Sequence, residues 1–384
     1  MKHYDVAIIG GGPAGSATAI TLGRLGWRVL LTDSAPAGRF RVGEGFPPSA
    51  RSLLNDLGVL EGFLDARHRT SYGNVSVWGS DEPHADDFIF HTHGQGYQLD
   101  RAAFDQQLRT AARQAGVSVH ASTRLSQTAA EDGFHLQLSR DGQEQPAHSR
   151  WLIDAGGRPA VFARQQGAQR LTDDRLVAFY LLLHSPQGTD QDGRTLVEAV
   201  EHGWWYSVLL PSGERLVTYL SDLDLLDRQQ LLSSEGLWQQ LAQTRLLWEL
   251  CQAHGYRPGT SVHGMDAGSG RLSLFHGERW AAVGDAALSF DPLSSQGIAT
   301  ALYCGQHCAQ AVHAALQGDP EVLPGYADLL TRIYAAYLSN RQQFYGMEKR
   351  WSESTFWKRR QVRKALFNSA GRAKRAGSSD LGLT

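Results

Sequence analysis

Three glycines near the N-terminus have the spacing of a backbone turn that binds a diphosphate. In the stretch DVAIIGGGPAGSATAI (residues 5–20), Gly10, Gly12 and Gly15 follow an apolar run and precede helix-forming residues, which predicts a strand, a tight turn and a helix. Glycine lets a pyrophosphate approach the backbone, and the helix N-terminus then stabilises its negative charge. The next predicted strand, WRVLLTDS, ends in Asp33, a carboxylate placed to bind the hydroxyls of an adenosine ribose. The pattern therefore indicates a dinucleotide-binding protein, and both NAD and FAD fit it.

A second unit, far along the chain, distinguishes the two dinucleotides. The stretch RWAAVGDAALSFDPLSSQGIATAL (residues 279–302) predicts another buried strand, a loop and a helix, which a nicotinamide site does not need. The ribityl chain of FAD needs a carboxylate such as Asp285 to accept hydrogen bonds from its hydroxyls. A helix that begins near Gly297 and Ile298 can stabilise the charge of a reduced flavin ring through its free N–H groups. Together with DAGGR at residues 154–158, this unit indicates FAD.

The order of these motifs resembles the FAD-binding superfamily that includes p-hydroxybenzoate hydroxylase, flavin-dependent halogenases and geranylgeranyl reductases. The resemblance runs along the whole chain. It implies that Asp33 binds the adenosine ribose, that Arg101 reaches the FAD phosphate and ribose, and that the loop RVGEG at 41–45 comes to the flavin. The predicted FAD-binding residues are Gly10, Gly12, Pro13, Ala14, Gly15, Asp33, Ser34, Arg41, Gly43, Arg101, Gly284, Asp285, Pro292, Gln296, Gly297 and Ile298.

The predicted fold is α/β: a Rossmann-like, three-layer FAD-binding domain with an inserted β-sheet domain of α+β type and C-terminal helices. Strand patterns such as DFIFHTHG, RLVAFYLLLH, WWYSVLLP and RLVTYLSD supply the inserted sheet, and SEGLWQQLAQTRLLWELCQAHG predicts a helix among them. The expected parts are a discontinuous FAD-binding domain (1–80, 98–168 and 266–321), a substrate domain (81–97 and 169–265) and a C-terminal helical segment with a basic tail (322–384).

The motifs GEGFPP, DAGGR and GDAALSFDPLSSQGI are most similar to the halogenase-like branch, but two departures count against halogenation. A flavin-dependent halogenase needs a lysine near the substrate sheet to hold hypohalous acid, and this chain has no lysine between Lys2 and Lys349. The halogenase signature W-x-W-x-I-P would fall on Tyr206–Pro211, which is YSVLLP and lacks both tryptophans. Geranylgeranyl reductases have Y-x-W-x-F-P there, so a flavin-dependent double-bond reductase is the alternative. A flavin-binding chaperone without turnover is a third hypothesis.

The leading hypothesis is an FAD-dependent monooxygenase that hydroxylates an aromatic ring of indole or phenol type through a C4a-hydroperoxyflavin. The segments EAVEHGWWYSVLLP and YGMEKRWSESTFWKRR resemble flavoproteins that hydroxylate a tryptophan of a protein substrate while tryptophylquinone enzymes mature. The resemblance implies O2 as co-substrate, with NAD(P)H or a separate flavin reductase as electron source. The expected partner is an aromatic substrate, free or in a protein or peptide, and neither nucleic acid nor a membrane.

Candidate residues for the chemistry cluster in the glycine loop and before the YSVLLP segment. A carboxylate or imidazole there can act as a base on a ring N–H or O–H, and aromatic side chains can stack on an aromatic substrate. Structural polar pairs and core packing are the alternatives. The candidate catalytic residues are Glu198, His202 and Glu44. The candidate substrate-binding residues are Trp204, Trp205 and Tyr206.

Charge and composition add further expectations. The net charge is −2, but residues 349–375 hold ten Lys and Arg residues against one acid, so this basic segment is either a solvated helix face or a docking surface. His91 and His93 alternate as on a strand, and two ligands without a third predict no metal site. No apolar stretch has the length of a membrane helix, the first strand begins too early for a signal peptide, and three cysteines form no disulfide framework. We therefore expect a cytoplasmic protein.

Overall fold

The computed structural model describes residues 1–36, 38, 40–90 and 92–361. Within these ranges the chain forms two eight-stranded sheets and two three-stranded sheets, with helices packed against them. The prediction of a mixed α/β fold is therefore confirmed. No helix of the described ranges is both long enough and apolar enough to span a lipid bilayer.

The strands are short in the connecting regions and long where a sheet forms a core. In chain order they are β1 (Lys2–Ile9), β2 (Val29–Asp33), β3 (Gly45–Phe46), β4 (Arg69–Ser71), β5 (Gly73–Val77), β6 (His84–Asp87), β7 (Gly96–Gln98), β8 (Ser118–Ala121), β9 (Arg124–Ala130), β10 (Gly133–Arg140), β11 (Gln143–Asp154), β12 (Arg170–Thr172), β13 (Leu176–His184), β14 (Thr195–Val200), β15 (Gly203–Leu209), β16 (Arg215–Asp222), β17 (Arg257–Pro258), β18 (His263–Asp266), β19 (Gly270–Leu272), β20 (His276–Gly277), β21 (Trp280–Ala282) and β22 (Leu288–Ser289).

The helices flank the sheets and close the C-terminal side. They are α1 (Pro13–Arg24), α2 (Arg51–Asp56), α3 (Leu60–Asp65), α4 (Arg101–Gln114), α5 (Val161–Gln165), α6 (Arg228–Leu231), α7 (Ser234–Leu241), α8 (Leu246–Ala253), α9 (Gly297–Leu316), α10 (Val322–Met347) and α11 (Thr355–Gln361). Short 3-10 turns at Phe88–Phe90, Gly284–Ala286 and Pro292–Ser294 connect them.

The first large sheet has the order β20-β21-β11-β1-β2-β8, and the hairpin of β9 and β10 extends from β11. The pairings among β21, β11, β1, β2 and β8 are parallel. Residues 6–8 and 29–31 are apolar and buried, as strands in the middle of a covered parallel sheet require. Helix α1 packs against α4 and α9. Because parallel strands end on one edge, the loops that follow β1, β2 and β21 meet there.

The second large sheet has the order β17-β13-β16-β15-β14-β5-β6, with β18 also paired to β13. The predicted strands RLVAFYLLLH, WWYSVLLP and RLVTYLSD are confirmed as β13, β15 and β16. Strand β5 pairs in parallel with β14. Residues 73–77 therefore belong to this second sheet, and the expected domain boundary at residue 80 lies too late in the chain.

Two local predictions of secondary structure are wrong. In DFIFHTHG the strand β6 already ends at Asp87, and the chain continues as a 3-10 turn in which Ile89 and Phe90 are exposed. The predicted long helix forms α7 and α8 with a break at 242–245. The Thr244 hydroxyl donates to the carbonyl of Leu241 at 2.7 Å, a local bond that competes with continuation of the helix.

The basic segment is held by internal ion pairs as far as the structure describes it. Arg360 donates to the Asp222 carboxylate at 2.5 Å and Arg359 donates to it at 2.9 Å, which fixes α11 on the second sheet. Arg350 pairs with Glu348 at 2.6 Å. The guanidinium groups of these three arginines already contact carboxylates of the same chain, so they contribute to internal packing. A docking role for the basic segment stays a prediction. Residues 362–375 of the segment lie outside the described residues.

The substitution Asp222→Asn tests the attachment of α11. Asp222 is buried, so its loss leaves the guanidinium of Arg360 without its carboxylate, and we expect the free energy of unfolding to fall by about 3 kcal/mol. Urea denaturation, monitored by circular dichroism, measures this change. The control Glu353→Gln removes an exposed pair with Lys358 and should leave the stability nearly unchanged. Equal effects of the two substitutions on stability would contradict the conclusion that the Asp222 ion pairs attach α11 to the second sheet.

Candidate functional site

The glycine turn after β1 leaves open backbone in front of α1. Gly10 has φ +111°, and a Cβ there would overlap the carbonyl oxygen of Ala155. A Cβ on Gly15 would overlap the carbonyl of Gly10, so the strand and helix touch directly. A Cβ on Gly12 would meet only the Nη1 atom of Arg41, at 3.8 Å. The open side of the turn thus lies at Gly12, where α1 begins with no acidic residue in its first turn.

Asp33 lies at the carboxyl end of β2, beside this turn. Its carboxylate is 3.4 Å from the guanidinium of Arg41 and 3.4 Å from that of Arg109. Together they border a cleft lined by Asp33, Ala35, Pro36, Gly38, Arg41, Ala102, Asp105, Arg109 and Ala121, while Ser34 is exposed at its rim. Sequence reasoning missed Asp105 and Arg109. Arg101, Asp105 and Arg109 follow one another at intervals of four residues, which places all three on one face of α4. This spacing could have identified Asp105 and Arg109 from the sequence.

Arg101 holds the loop 41–45 in place. Its Nη1 donates to the carbonyls of Val42 at 2.9 Å and Gly43 at 3.1 Å, and its Nη2 lies 3.3 Å from Asp105. Arg101 thus positions the loop 41–45 in this arrangement. The expected contact of Arg101 with the FAD phosphate and ribose stays a prediction.

The second motif meets the first at the same edge of the sheet. Gly284 has φ +64°, and a Cβ there would lie 2.5 Å from the Cβ of Ala14, so the 3-10 turn after β21 packs on the start of α1. The Asp285 side chain is 48% exposed and its carboxylate lies 3.8 Å from Arg158. At the start of α9, a Cβ on Gly297 would meet no atom within 4 Å.

These features fit FAD. The open backbone at Gly12 suits the diphosphate, Asp33 suits the ribose, and Asp285 presents an exposed carboxylate at the edge where the ribityl chain would run. The bare backbone of Gly297 leaves room for a flat ring at the start of α9, where Pro292 and Gln296 are exposed and Ile298 is buried. Pro13 occupies the first position of α1, where its missing N–H removes no helix bond.

Glu44 lies where the loop 41–45 meets the second sheet. It is 1% exposed, and its Oε2 accepts a hydrogen bond of 2.6 Å from the Tyr206 hydroxyl. Burial raises the pKa of the Glu44 carboxyl above its ordinary value, although the bond from Tyr206 opposes that shift. Its Oε1 has no hydrogen-bond partner among the described residues. Next to it, a Cβ on Gly45 would lie 3.8 Å from the Cβ of Ser295, so this loop borders the loop before α9.

The three aromatic residues of β15 face opposite sides of the sheet. The Trp204 indole donates to the Tyr345 hydroxyl at 3.0 Å, which donates to Asp291 Oδ2 at 2.6 Å. Trp205 lies on the other face and stacks on Tyr219 at 4.9 Å. Trp204 and Trp205 are at most 1% exposed, so neither can stack on a substrate in this arrangement, contrary to expectation. Tyr206 is partly exposed and bonded to Glu44, and it stays a candidate.

Glu198 and His202 do not reach Glu44. Glu198 lies opposite Trp205 on the outer face, and its carboxylate accepts from the backbone N–H groups of Arg245 at 2.6 Å and Leu247 at 3.0 Å. It thereby caps the start of α8, although burial raises its pKa. His202 is exposed in the turn between β14 and β15. These positions do not fit the expected role of either residue as a base at the flavin.

A row of side chains that the sequence did not single out shares the face of Tyr206. Tyr206 is paired with Thr218 on β16, and Thr218 with Tyr180 on β13. Directly paired residues share a face, so the three form one row. His263 stacks on Tyr180 at 5.1 Å, and Phe40 lies 6.0 Å from Tyr180. In the sequence, the alternation along RLVAFYLLLH and RLVTYLSD shows which residues share a face of a strand. It does not show which of the two faces points toward the site.

Metal ligands and amines are not gathered at this site in the part of the chain that the structure describes. No group of three His, Cys, Asp or Glu side chains could hold a metal there. His93 is exposed, and His91 lies outside the described residues. The described lysines, Lys2, Lys349 and Lys358, are all exposed. Lys364 and Lys374 lie outside the described ranges.

Comparison with known proteins places the chain among flavoproteins. Residues 3–328 match the family described as FAD binding domain. The chain is 33% identical over 372 residues to LodB of Marinomonas mediterranea, named as an FAD-dependent oxidoreductase, across 95% of this chain and 99% of LodB. It is 25% identical to a brominase of Pseudoalteromonas luteoviolacea named for the 1H-pyrrole-2-carbonyl peptidyl-carrier protein, across 85% of this chain and 81% of that protein.

Two solved structures have the same fold. The myxobacterial chondrochloren halogenase CndH superimposes with a TM-score of 0.85 at 24% identity, over 97% of this chain and 88% of CndH. The peptidyl tryptophan dihydroxylase QhpG, described as essential for tryptophylquinone cofactor biogenesis, superimposes with a TM-score of 0.76 at 25% identity, over 94% of this chain and 79% of QhpG.

Two alanine substitutions in the glycine turn should have different effects, one on FAD affinity and the other on stability. Gly12→Ala meets no close atom, so we expect it to retain the fold but to lower FAD affinity by about tenfold or more, because the new methyl group occupies the diphosphate position. Gly10→Ala meets the Ala155 carbonyl at a positive φ and should lower the free energy of unfolding by about 2 kcal/mol. FAD titration and urea denaturation of both variants measure these effects. Unchanged FAD affinity of Gly12→Ala would contradict the placement.

Glu44→Gln tests the buried carboxylate through pH. A carboxyl whose pKa is raised in the folded state binds protons more tightly there, so its contribution to stability is complete below the ordinary value of 4.5 and declines as pH rises through the folded pKa. Glutamine stays neutral and still accepts from Tyr206. We therefore expect the stability of Glu44→Gln relative to the parent chain to increase as pH rises.

Urea denaturation of Glu44→Gln and the parent chain from about pH 4 to about pH 8 measures this difference. Glu353→Gln is the matched control, because the exposed Lys358 pair lowers the pKa of Glu353 and predicts the opposite trend. If Glu44→Gln loses stability relative to the parent as pH rises, the raised pKa is wrong.

Proposed function

Because the chain belongs to the FAD binding domain family and is a flavin-dependent oxidoreductase, we propose that it is an oxygen-using monooxygenase that hydroxylates an aromatic ring. The observation that carries this proposal is the hydrogen bond between Tyr206 and the buried Glu44, in the loop that would border the flavin ring. It places a carboxyl of raised pKa and a phenol next to an aromatic row, with no lysine among the described residues nearby.

FAD, once reduced, supplies the activation of O2 from which one oxygen atom passes to an electron-rich ring. The residues of this chain bind, orient and shield. The turn at Gly12 and the carboxylate of Asp33 bind the ADP half, and Arg101 holds the loop 41–45 against it. The Glu44 carboxyl accepts the hydrogen bond that holds the Tyr206 phenol in position. The burial of Glu44 limits the access of water to this side of the site.

Two features support hydroxylation over halogenation, although halogenases are among the relatives. Hypohalous acid must be held by an ammonium group, and the described lysines are exposed rather than gathered near Glu44. The halogenase tryptophan signature is also replaced, with Tyr206 bonded to Glu44. Glu44 Oε1 and the Thr218 hydroxyl have no hydrogen-bond partner among the described residues. They disfavour a double-bond reductase for prenyl chains, since a long apolar chain would leave both atoms unsatisfied.

A tryptophan side chain in a protein or peptide is the substrate class that we propose. The relative QhpG is named as a peptidyl tryptophan dihydroxylase, and the brominase is named for a carrier-bound substrate. The row Tyr206, Thr218 and Tyr180 offers aromatic faces and a hydroxyl, which suit an indole. We propose NAD(P)H or a separate reductase as the electron source. We also propose the domain division given above, with residues 73–77 moved to the substrate sheet.

The test uses the FAD-loaded protein with chemically reduced flavin, isotopically labelled O2, excess bromide and N-acetyltryptophanamide or a tryptophan-containing peptide. We expect mass spectrometry to find labelled oxygen on the indole and no bromine, because no described amine holds a halogen oxidant. Tyr206→Phe should lower the yield by about tenfold or more, since it removes the partner of Glu44. Bromination, or labelled oxygen absent from every indole tested, would reject hydroxylation.

A further inference from the structure

Residues 292–297, called here the flavin turn, lead into α9 and border the proposed position of the flavin ring. Asp291 directly precedes the flavin turn and is 1% exposed, whereas Gln296 and Gly297 are exposed. The Asp291 carboxylate accepts a hydrogen bond of 2.9 Å from the backbone N–H of Leu293. Asp291 is therefore the buried anchor of a turn whose other side is open.

Three residues of α10 contact Asp291 from one face of that helix. Tyr337, Arg341 and Tyr345 follow one another at intervals of four residues, so they share a face. The Tyr345 hydroxyl donates to the Asp291 carboxylate at 2.6 Å, and the backbone N–H of Asp291 donates to the Tyr337 hydroxyl at 2.9 Å. Arg341 Nε lies 3.5 Å from the same carboxylate. Helix α10 thereby binds both the backbone and the side chain of Asp291.

Arg341 supplies the positive charge beside this carboxylate. Its Nη2 donates to Asp174 at 2.7 Å, so one guanidinium group bridges Asp174 and Asp291, whose side chains are 10% and 1% exposed. Asp174 also accepts from the backbone N–H of Ser269, whose hydroxyl lies 2.5 Å from that of Tyr337. A buried carboxylate without a positive partner is unfavourable. We therefore expect Asp291, and the flavin turn with it, to shift when Arg341 is lost.

The flavin turn ends where α9 begins. The first N–H groups of a helix have no partner within the helix, and they stabilise negative charge nearby. Helix α9 has no acidic residue in its first turn, and a Cβ on Gly297 would meet no atom within 4 Å, so this end is open. Reduction leaves negative charge on a flavin ring, so N–H groups beside the ring stabilise reduced FAD more than oxidised FAD. The position of the flavin turn therefore affects the reduction potential of FAD.

We propose that Tyr337, Arg341 and Tyr345 are positioning residues that hold the flavin turn, so that α10 sets how tightly reduced FAD is bound relative to oxidised FAD. This inference rests on the proposed position of the flavin ring beside Gly297, and it does not depend on hydroxylation. It gives a role to a helix face that lies beyond residue 328, where the match to the FAD binding domain family ends.

The substitution Arg341→Met tests this role through the midpoint potential of bound FAD, measured by reduction against a reference dye without O2 or substrate. We expect the affinity for reduced FAD to fall about tenfold more than that for oxidised FAD, which lowers the potential of a two-electron couple by about 30 mV. Arg341→Lys should lower it less, because lysine keeps the charge but lacks the fork that bridges two carboxylates.

Tyr337→Phe is the second variant, because it removes one hydroxyl and changes no charge. The backbone N–H of Asp291 then loses its acceptor, so the potential should fall in the same direction as in Arg341→Met. A fall in Tyr337→Phe cannot arise from a lost positive charge, and it therefore separates positioning of the flavin turn from a direct effect of the guanidinium. This variant also decides the question if Arg341→Met does not fold.

Arg215→Met and Tyr256→Phe are the matched controls, on the outer face of the second sheet. Arg215 is buried and pairs with Asp190 at 2.8 Å, and the Tyr256 hydroxyl donates to the same carboxylate at 2.7 Å. These substitutions remove a buried cation and a buried phenol, so they should lower stability to urea but leave the potential of FAD unchanged. An equal fall in the controls, or parent-like potentials in Arg341→Met and Tyr337→Phe, would overturn the proposal.

Gly297→Leu distinguishes failure of this inference from failure of the flavin position. It places a side chain in the open space at the start of α9, so it should weaken FAD binding and change the visible absorption spectrum of the bound flavin. A parent-like spectrum and affinity would reject the flavin position and this inference with it. A changed spectrum together with parent-like potentials of the α10 variants would reject this inference alone. Because the potential is measured without substrate, failure to hydroxylate an indole affects neither result.

Discussion

The direct contact of backbones at the carboxyl edge of the parallel sheet is the constraint on which the rest of the structure depends. Gly15 lies against the carbonyl of Gly10, and Gly284 packs on Ala14, leaving no space for side chains between these segments. Helices α1 and α9 are joined in addition by the Thr18 hydroxyl, which donates to the carbonyl of Gly305 at 3.1 Å. Two motifs far apart in the sequence are therefore held at a fixed separation, because close-packed backbones tolerate little displacement.

Hydrogen bonds between buried side chains transmit this arrangement to the second sheet. One connection is the bond of Tyr206 to Glu44, and the other is the chain from Trp204 through Tyr345 to Asp291. Both connect the sheet to loops that border the proposed flavin position. Burial also raises the pKa of Tyr345, so its phenol stays protonated and can donate. The face of the sheet that carries Tyr206 is thus held in a fixed position relative to the loops at the proposed flavin position.

Charged and apolar groups are distributed unevenly over the rest of the molecule. Arginines of the C-terminal helix pair with Asp222 and fasten that helix to the sheet, so a strongly basic stretch contributes to internal packing. Carboxylates and the exposed Ile89 and Phe90 gather at the outer strand β6.

The sequence by itself determined the diphosphate turn, Asp33, the second motif around Asp285 and the absence of lysine between Lys2 and Lys349, because these are properties of local spacing or composition. Only the tertiary structure decided which face of β15 meets the site. The two faces of a strand are distinguished by the elements that pack on them, and those elements come from distant parts of the chain. Trp205 is thereby removed from the site and Tyr206 is retained. The tertiary structure also shows that Glu198 caps α8. Its partners Arg245 and Leu247 lie 47 and 49 residues further along the chain, so no local sequence pattern relates them to Glu198.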